Sequence, residues 1–136
     1  MGAWSHESFG NDVAGDWTGP LEASVDLGYV EKTLQTVLDV GAGYLEMDEA
    51  CEAVAAAEAI ARLQGNFGVR DAYSRAVDSW VERTRLIPSR ALATKAHRVL
   101  DRIVSEPSEL LEQWQETEDA SDWLSAIADL RGRVEA

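Results

Sequence analysis

The alanine-rich segment between Asp48 and Gly65 constrains the fold of this chain more than any other feature. Its apolar residues cover nearly the whole circumference of a helix rather than one stripe. A helix of this kind is buried on all sides, and its small side chains let neighbouring helices approach closely. Asp48 is placed to cap the start of the helix and Gly65 to end it. The segment therefore predicts a central helix surrounded by other helices.

The remaining chain also has apolar residues at helical spacing, with no sustained alternation of the kind that strands need. Asn11 and Ser89 are predicted to be N-caps. The Gly19-Pro20 step predicts two short helices or one kinked helix, because an interior proline removes a hydrogen bond. The whole pattern indicates an all-α fold, a compact single-domain bundle of six to seven short helices around the alanine-rich helix.

Residues 1–22 are unusually rich in large aromatic side chains for a segment near a terminus. Trp4, Phe9 and Trp17 lie among polar residues there. Large aromatic side chains contribute most to stability when they are buried. We therefore expect this segment to pack onto the rest of the chain, so that residues 1–136 form a single helical domain.

The formal net charge of −13 is distributed unevenly along the chain. Residues 1–69 hold 12 acidic and 2 basic residues, residues 70–103 hold 4 and 8, and residues 104–136 hold 9 and 2. An acidic surface repels the phosphates of nucleic acids and anionic membranes, so neither is an expected partner. It does steer basic proteins toward it. The expected partner is another protein, with a basic protein as the favoured case.

The cysteine content and the hydropathy pattern bear on the cellular compartment. A single cysteine, Cys51, excludes an internal disulfide and fits a reducing environment. The sequence shows no pattern of a signal peptide or of a membrane-spanning helix. A cytoplasmic protein is expected, with Cys51 as a small core residue.

No catalytic motif can be assembled from the sequence. The chain has only two histidines, and its Gly41-Ala-Gly43 step lacks the further glycine and the preceding strand of a phosphate-binding loop. Neither a Ser-His-Asp arrangement nor a di-iron ligand set can be recognised. We assign no catalytic residue and no cofactor, and an enzyme is the weaker interpretation.

Four carboxylates are the candidates for a metal site. Asp12 and Asp16 share one helix face, and Glu46 begins an acidic cluster before the central helix. Glu58 interrupts the alanine-rich stretch and precedes Arg62 by four residues, which also favours a structural ion pair. Oxygen ligands of this kind suit a hard cation. The alternative is a solvated acidic surface with Glu58 paired.

The tryptophans give a second route to function. Trp17, Trp80 and Trp123 lie on apolar helical stripes and are predicted to be in the core. Trp4 and Trp114 are less constrained by the pattern, and tryptophan is enriched at binding hot spots. The candidate interaction residues are Trp4, Phe9, Asp12, Asp16 and Trp114, with burial as the alternative for each tryptophan.

Several motifs together resemble an uncharacterised bacterial family, domain-of-unknown-function family 4259. They are the opening Met-Gly-Ala-Trp, Phe9-x-Asn11-Asp12, Asp16-Trp17, Tyr44-Leu45-Glu46-x-Asp48, Ala55-Ala56-Ala57-Glu58, Gly65, Trp80, Ser108-Glu109-Leu110, Trp114, Trp123 and Leu130. The resemblance spans nearly the whole chain and implies a bacterial cytoplasmic setting. It implies no activity, so no catalytic residue is carried over from it.

Three hypotheses remain open at this point. The first is a small acidic protein-binding protein without catalysis, of an inhibitor, immunity or regulatory type. The second is a carboxylate-based metal-binding protein or hydrolase built on the four carboxylates named above. The third is a self-associating structural protein, in which the acidic residues 1–69 of one copy meet the basic residues 70–103 of another.

Overall fold

The computed structural model of the protein describes residues 7–136, and within them the chain forms seven α-helices. The predicted all-α single-domain bundle of six to seven helices is confirmed. Outside the helices, an isolated parallel β-bridge joins Leu45 and Ser108. The helices are α1 (Asp12–Glu22), α2 (Gly28–Val40), α3 (Met47–Leu63), α4 (Arg75–Thr84), α5 (Arg90–Ile103), α6 (Glu109–Gln115) and α7 (Ala120–Arg133).

The alanine-rich helix α3 is the centre of the bundle, as predicted. It packs against each of the six other helices, and every residue from Ala53 to Arg62 is buried. Alanine side chains on all faces make this possible, because they let the surrounding backbones come close. The fold is therefore organised around one short-side-chain helix.

The two ends of α3 are fixed in different ways. At the C-terminal end Gly65 adopts a φ of +89°, its N–H donates to Arg62 O at 3.0 Å, and Asn66 N donates to Ala61 O at 2.9 Å. These bonds form a Schellman motif, which confirms Gly65 as the terminating glycine. The predicted Asp48 cap is wrong. The helix begins at Met47 with Glu46 in the N-cap position, so Asp48 lies within the first turn, and Met47 N donates to the carboxylate of Glu109 at 2.8 Å.

Helix α1 carries the aromatic segment into the core. Asn11 caps it as predicted, accepting from Ala14 N at 2.8 Å. Of the two predicted alternatives, two short helices is wrong, because a single helix continues through Pro20 to Glu22. Pro20 lies in the last turn, where its ring costs one hydrogen bond and the helix ends soon after. Phe9 and Trp17 are buried; the predicted packing of Trp4 lies outside the described residues.

The tryptophans of residues 7–136 are all buried. Trp17, Trp80 and Trp123 lie in the core as predicted. Trp17 stacks on Tyr29 with ring centroids 5.0 Å apart, and Trp114 stacks on Trp123 at 6.1 Å. Such offset pairs add to the stabilisation that burial alone provides.

None of the described helices is a candidate for a membrane-spanning segment. Within residues 7–136, no helix combines the length and apolar content that crossing a bilayer requires.

Candidate functional site

The starts of α3 and α6 come together at one end of the bundle. Leu45 N donates to Pro107 O at 3.2 Å, and Glu109 N donates to Leu45 O at 2.9 Å. Arg102 reinforces this junction, because its guanidinium donates to the carbonyls of Gly43 and Pro107. The backbone before α3 and the backbone before α6 are thus held side by side.

This junction collects six carboxylates on one surface, which we call the acidic face. All six are exposed or half-buried, and within residues 7–136 none of them forms an ion pair with a basic side chain. Acidic side chains near a helix N-terminus are stabilised by the helix dipole, which partly offsets their mutual repulsion. The acidic face consists of Glu46, Asp48, Glu49, Glu52, Glu109 and Glu112.

Tyr44 lies within the acidic face. Its side chain is 50% exposed, and its hydroxyl donates to Glu112 Oε1 at 2.9 Å. Partial desolvation, that hydrogen bond and the charges of nearby carboxylates raise the pKa of Tyr44 to about 12. The nearby carboxylates are those of Glu112, Glu109 and Glu46. An aromatic ring is therefore presented to solvent among negative charges.

Two residues on the inner side of the acidic face, Glu52 and Cys51, have pKa values raised by burial and by neighbouring carboxylates. Burial raises the pKa of Glu52, and the charges of Asp48 and Glu49 raise it further. Burial also raises the pKa of the Cys51 thiol to about 12, with added contributions from three carboxylates. Cys51 is buried and neutral, as predicted for a core residue. Its thiol has no tendency toward the nucleophilic thiolate.

A second group of charges lies inside the molecule, where α3, α4 and α7 meet. We call it the buried ion cluster, and it consists of Glu58, Arg62, Asp78 and Arg133. Arg62 Nε donates to Glu58 Oε2 at 3.0 Å, which confirms the predicted pair. A second nitrogen of the same guanidinium, Arg62 Nη1, pairs with Asp78 Oδ1. The cluster contains two carboxylates and two guanidinium groups, so its formal charge is balanced.

Glu58 uses all its acceptor capacity inside the protein. Arg133 donates to both carboxylate oxygens, from Nη1 to Oε2 at 2.6 Å and from Nη2 to Oε1 at 2.9 Å. Ser8 Oγ donates to Oε1 at 2.8 Å. With the bond from Arg62, four donors fill the approximately four lone-pair positions of a carboxylate. Burial by itself would raise the pKa of Glu58, but the bonds and charges from Arg133 and Arg62 outweigh it and lower the pKa.

The aromatic surroundings of Arg62 complete the cluster. Its guanidinium carbon lies 5.4 Å from the ring centroid of Phe9 and 5.5 Å from that of Phe67. Both distances are within the range of cation–π attraction. On the other side of the cluster, Ser74 Oγ donates to Asp78 Oδ2 at 2.8 Å. Two aromatic rings and a serine hydroxyl therefore add to the ion pairs that hold these charged groups.

A small pocket borders the buried ion cluster. Its volume is about 80 Å³, and its lining includes Ser8, Glu58, Arg62, Asp71 and Ser74. This volume has room for a few water molecules. The side chains of these five residues already make hydrogen bonds within the protein. The polar side chains around this pocket are therefore already hydrogen-bonded to the protein itself.

The structure separates the four predicted metal ligands. Asp12 and Asp16 are exposed on α1, Glu46 lies on the acidic face, and Glu58 lies in the buried ion cluster. In the part of the chain that the structure describes, no group of three histidine, cysteine, aspartate or glutamate side chains is arranged to hold a metal ion. Phe9 and Trp114 are buried, so their rings face the core; Trp4 lies outside the described residues.

Two important features escape sequence reasoning. Arg133 contacts Glu58 across 75 positions of sequence, and no local pattern marks that pairing. Gly68 makes room for it: a Cβ atom on Gly68 would lie 2.8 Å from Arg133 Nη2. The contact of Glu109 and Glu112 with the start of α3 also depends on tertiary structure. The hydroxyl of Ser108, which caps α6, is the one local signal there.

Comparison with known proteins assigns the chain to a family. The family model described as Domain of unknown function (DUF4259) matches residues 2–126. The chain belongs to this family. No curated protein and no solved structure matches the chain. The DUF4259 fold described above, with its acidic face and buried ion cluster, therefore has to be interpreted from its own chemistry.

Proposed function

We propose that this DUF4259 protein is a small protein-binding protein without catalysis, of an inhibitor, immunity or regulatory type. Its acidic face is the binding surface, and its partner presents a basic surface. The observation that carries the proposal is Tyr44, half-exposed among carboxylates that have no basic partner in the described chain. We further propose a bacterial cytoplasmic setting, which the single buried Cys51 supports.

The chemistry of the acidic face favours an arginine or lysine side chain as its central contact. An aromatic ring attracts a cation placed over its face, and adjacent carboxylates accept hydrogen bonds from that cation. Tyr44 and Glu112 offer both kinds of contact within one hydrogen-bonded pair. Tyrosine is also among the residues that dominate binding energies at interfaces. A basic partner would relieve the repulsion between the carboxylates.

The charge of the whole molecule adds a kinetic advantage. With a net charge of −13, the protein attracts basic partners over distances of about 10 Å at moderate salt. Inhibitors of basic proteins gain fast association in this way. The buried ion cluster does not serve this purpose, because its charges are balanced and its carboxylates are already paired.

Affinity capture from host lysate tests the proposal when it compares two matched variants. The variant Glu46→Gln/Glu112→Gln removes two charges from the acidic face, and Asp12→Asn/Asp16→Asn removes two from the exposed side of α1. All four residues lie outside the core, so both variants should fold like the wild type. The captured proteins would be identified by mass spectrometry at about 0.15 M salt, where weak surface attraction is largely screened.

The proposal expects a basic protein that is retained by the wild type and by the α1 variant but lost from the acidic-face variant. Retention by both variants would contradict the assignment of the acidic face. Loss from the α1 variant alone would move the binding surface to Asp12 and Asp16. A blank from the wild type would contradict a stable protein partner.

A further inference from the structure

One guanidinium group ties together the two chain segments that form the acidic face. Arg102 lies in the last turn of α5 and is half-buried. Its nitrogens donate to four backbone carbonyls: Nε to Gly41 O at 3.0 Å, Nη1 to Ser105 O at 2.9 Å, and Nη2 to Gly43 O at 2.7 Å and Pro107 O at 3.0 Å. Two of these carbonyls belong to the connection between α2 and α3, and two belong to the connection between α5 and α6.

The connection between α2 and α3 has little else to hold it on its α2 side. Residues 41–44 are exposed, and two of them are glycines. This stretch therefore buries little apolar surface to offset the conformational entropy that is lost when it is ordered. Tyr44 follows Gly43 directly, so the place of the Gly43 carbonyl limits where the tyrosine ring lies. Arginine suits this role because its planar fork of donors is rigid.

The partner of the Tyr44 hydroxyl comes from the other side of the junction. That hydroxyl donates to Glu112 Oε1 at 2.9 Å, and Glu112 lies in the first turn of α6. Leu45, the next residue after Tyr44, is held by backbone hydrogen bonds to the segment that leads into α6. The tyrosine is thus fixed from both sides, through Leu45 by the backbone and through Gly43 by Arg102.

The positive charge of Arg102 faces carbonyl groups rather than carboxylates. Within residues 7–136 Arg102 forms no ion pair, and its hydrogen bonds go to backbone oxygens. An ion pair at the same place would have occupied a carboxylate of the acidic face. The junction is therefore assembled by a basic side chain that leaves those carboxylates available to an external cation.

We propose that Arg102 is a positioning residue of the acidic face, which holds Tyr44 beside Glu112 in the geometry that a cationic side chain of the partner contacts. This inference rests on the proposed function, because it concerns the same binding surface. By charge alone, Arg102 opposes the binding of a basic partner, since like charges repel. By geometry it favours that binding, because contact groups that are already in place lose less freedom when the partner arrives. The two effects predict changes of opposite sign when Arg102 is replaced.

Binding of an oligoarginine peptide to the full chain, measured by calorimetry at about 0.15 M salt, distinguishes the two effects. Arg102→Gln removes the charge and the fork of donors, and Arg102→Lys keeps the charge but replaces the fork with a single ammonium group. Both variants should raise the Kd of the peptide at least about 10-fold. Arg83→Gln is the matched control. It removes one positive charge and a hydrogen bond to the carbonyl of Glu22, which joins α4 to α1, and it should not raise the Kd.

NMR of the free protein reports the place of Tyr44 without any peptide. In the wild type, nuclear Overhauser effects should link the Tyr44 ring to the side chain of Glu112, because the two side chains are hydrogen-bonded. These effects should vanish in both Arg102 variants and persist in Arg83→Gln. Thermal unfolding checks that each variant is folded. Arg102→Lys keeps the charge and the aliphatic stem, so it tests the proposal even if Arg102→Gln does not fold.

Persistence of these Overhauser effects in the folded Arg102 variants would overturn the proposal, whether or not the peptide binds. A Kd that stays the same or falls in Arg102→Gln would also overturn it, since charge alone predicts that result. Equal weakening by Arg83→Gln would do the same. A wild type that does not bind the peptide, together with Overhauser effects that vanish in the Arg102 variants, would contradict the acidic face as a binding surface and confirm that Arg102 positions Tyr44.

Discussion

The buried ion cluster and the acidic face both bring charged side chains close together, but only in the cluster do opposite charges meet. In the cluster, the Glu58 carboxylate accepts from Ser8, Arg62 and Arg133, and its pKa is lowered. On the acidic face, burial raises the pKa of Glu52, and neighbouring carboxylates raise it further. The two regions therefore shift the pKa of a glutamate in opposite directions.

This difference separates charges that hold the fold from charges that remain available for binding. A buried ion must be paired, because an unpaired charge in the interior is strongly destabilising. An exposed carboxylate tolerates repulsion, since water and the helix dipole reduce it. Uncompensated charge on a surface thus costs little stability and is free to recognise a cation.

The largest expected effect is on the buried side of this comparison. Glu58→Gln leaves Arg62 and Arg133 without their shared counter-ion and should lower the free energy of unfolding by about 3–5 kcal/mol. Urea unfolding measures this change as a lower midpoint at unchanged slope. Asp101→Asn is the matched control, since it breaks the exposed pair with Arg131 and should cost at most about 1 kcal/mol. Equal losses in the two variants would contradict a special role for the cluster.

A smaller loss is expected from Gly68→Ala. The added methyl group would occupy space taken by the Arg133 guanidinium, which its bonds to Glu58 prevent from moving away freely. We expect a loss of about 1–3 kcal/mol, typical of overpacking. Gly15→Ala on α1 is the control, because nothing lies within 4 Å of the new atom. That variant should gain about 0.5–1 kcal/mol from helix propensity. A neutral Gly68→Ala would show that Arg133 is loosely held.

The smallest expected effect is on the pH dependence of the free energy of unfolding, which differs in sign between the acidic face and the buried ion cluster. Because the pKa of Glu52 is raised above its ordinary 4.5, its ionised form costs stability, and that cost disappears as pH falls through the raised pKa. Glu52→Gln should therefore be slightly more stable than wild type at about pH 7 and equal to it below about pH 4.

Ionisation of Glu58 has the opposite effect on the free energy of unfolding. Its lowered pKa adds stability above pH 4.5, and this contribution is lost as pH falls through the lowered value. The deficit of Glu58→Gln should consequently shrink only below pH 4.5. Unfolding free energies measured across this pH range check both signs. Parallel profiles for the two variants would contradict the contrast between cluster and face.

The features that follow local rules could be predicted from the sequence. The central position of α3 follows from its apolar circumference, and the Asn11 cap and the Gly65 terminus follow from local preferences. The Glu58–Arg62 pair follows from spacing of four on a helix. The Asp48 cap failed because a distant carboxylate, Glu109, satisfies the first turn instead.

The features that depend on tertiary contact could not be predicted. The acidic face forms only when α6 docks against the start of α3, and the sequence places those segments about 60 positions apart. The contact between Arg133 and Glu58 has the same character. The sequence around Tyr44 does not indicate that carboxylates of a distant helix surround it, because its hydrogen-bond partner Glu112 is 68 positions away.

The most direct test of the account is a titration of the full chain with an arginine-rich peptide, followed by NMR of the backbone amides. At about 0.15 M salt, where diffuse attraction is screened, the shifts should concentrate at residues 44–52 and 109–112. A peptide of equal length without cations should produce none. Shifts spread evenly over all exposed acidic residues, Asp12 and Asp16 included, would contradict the claim that the acidic face is a binding surface.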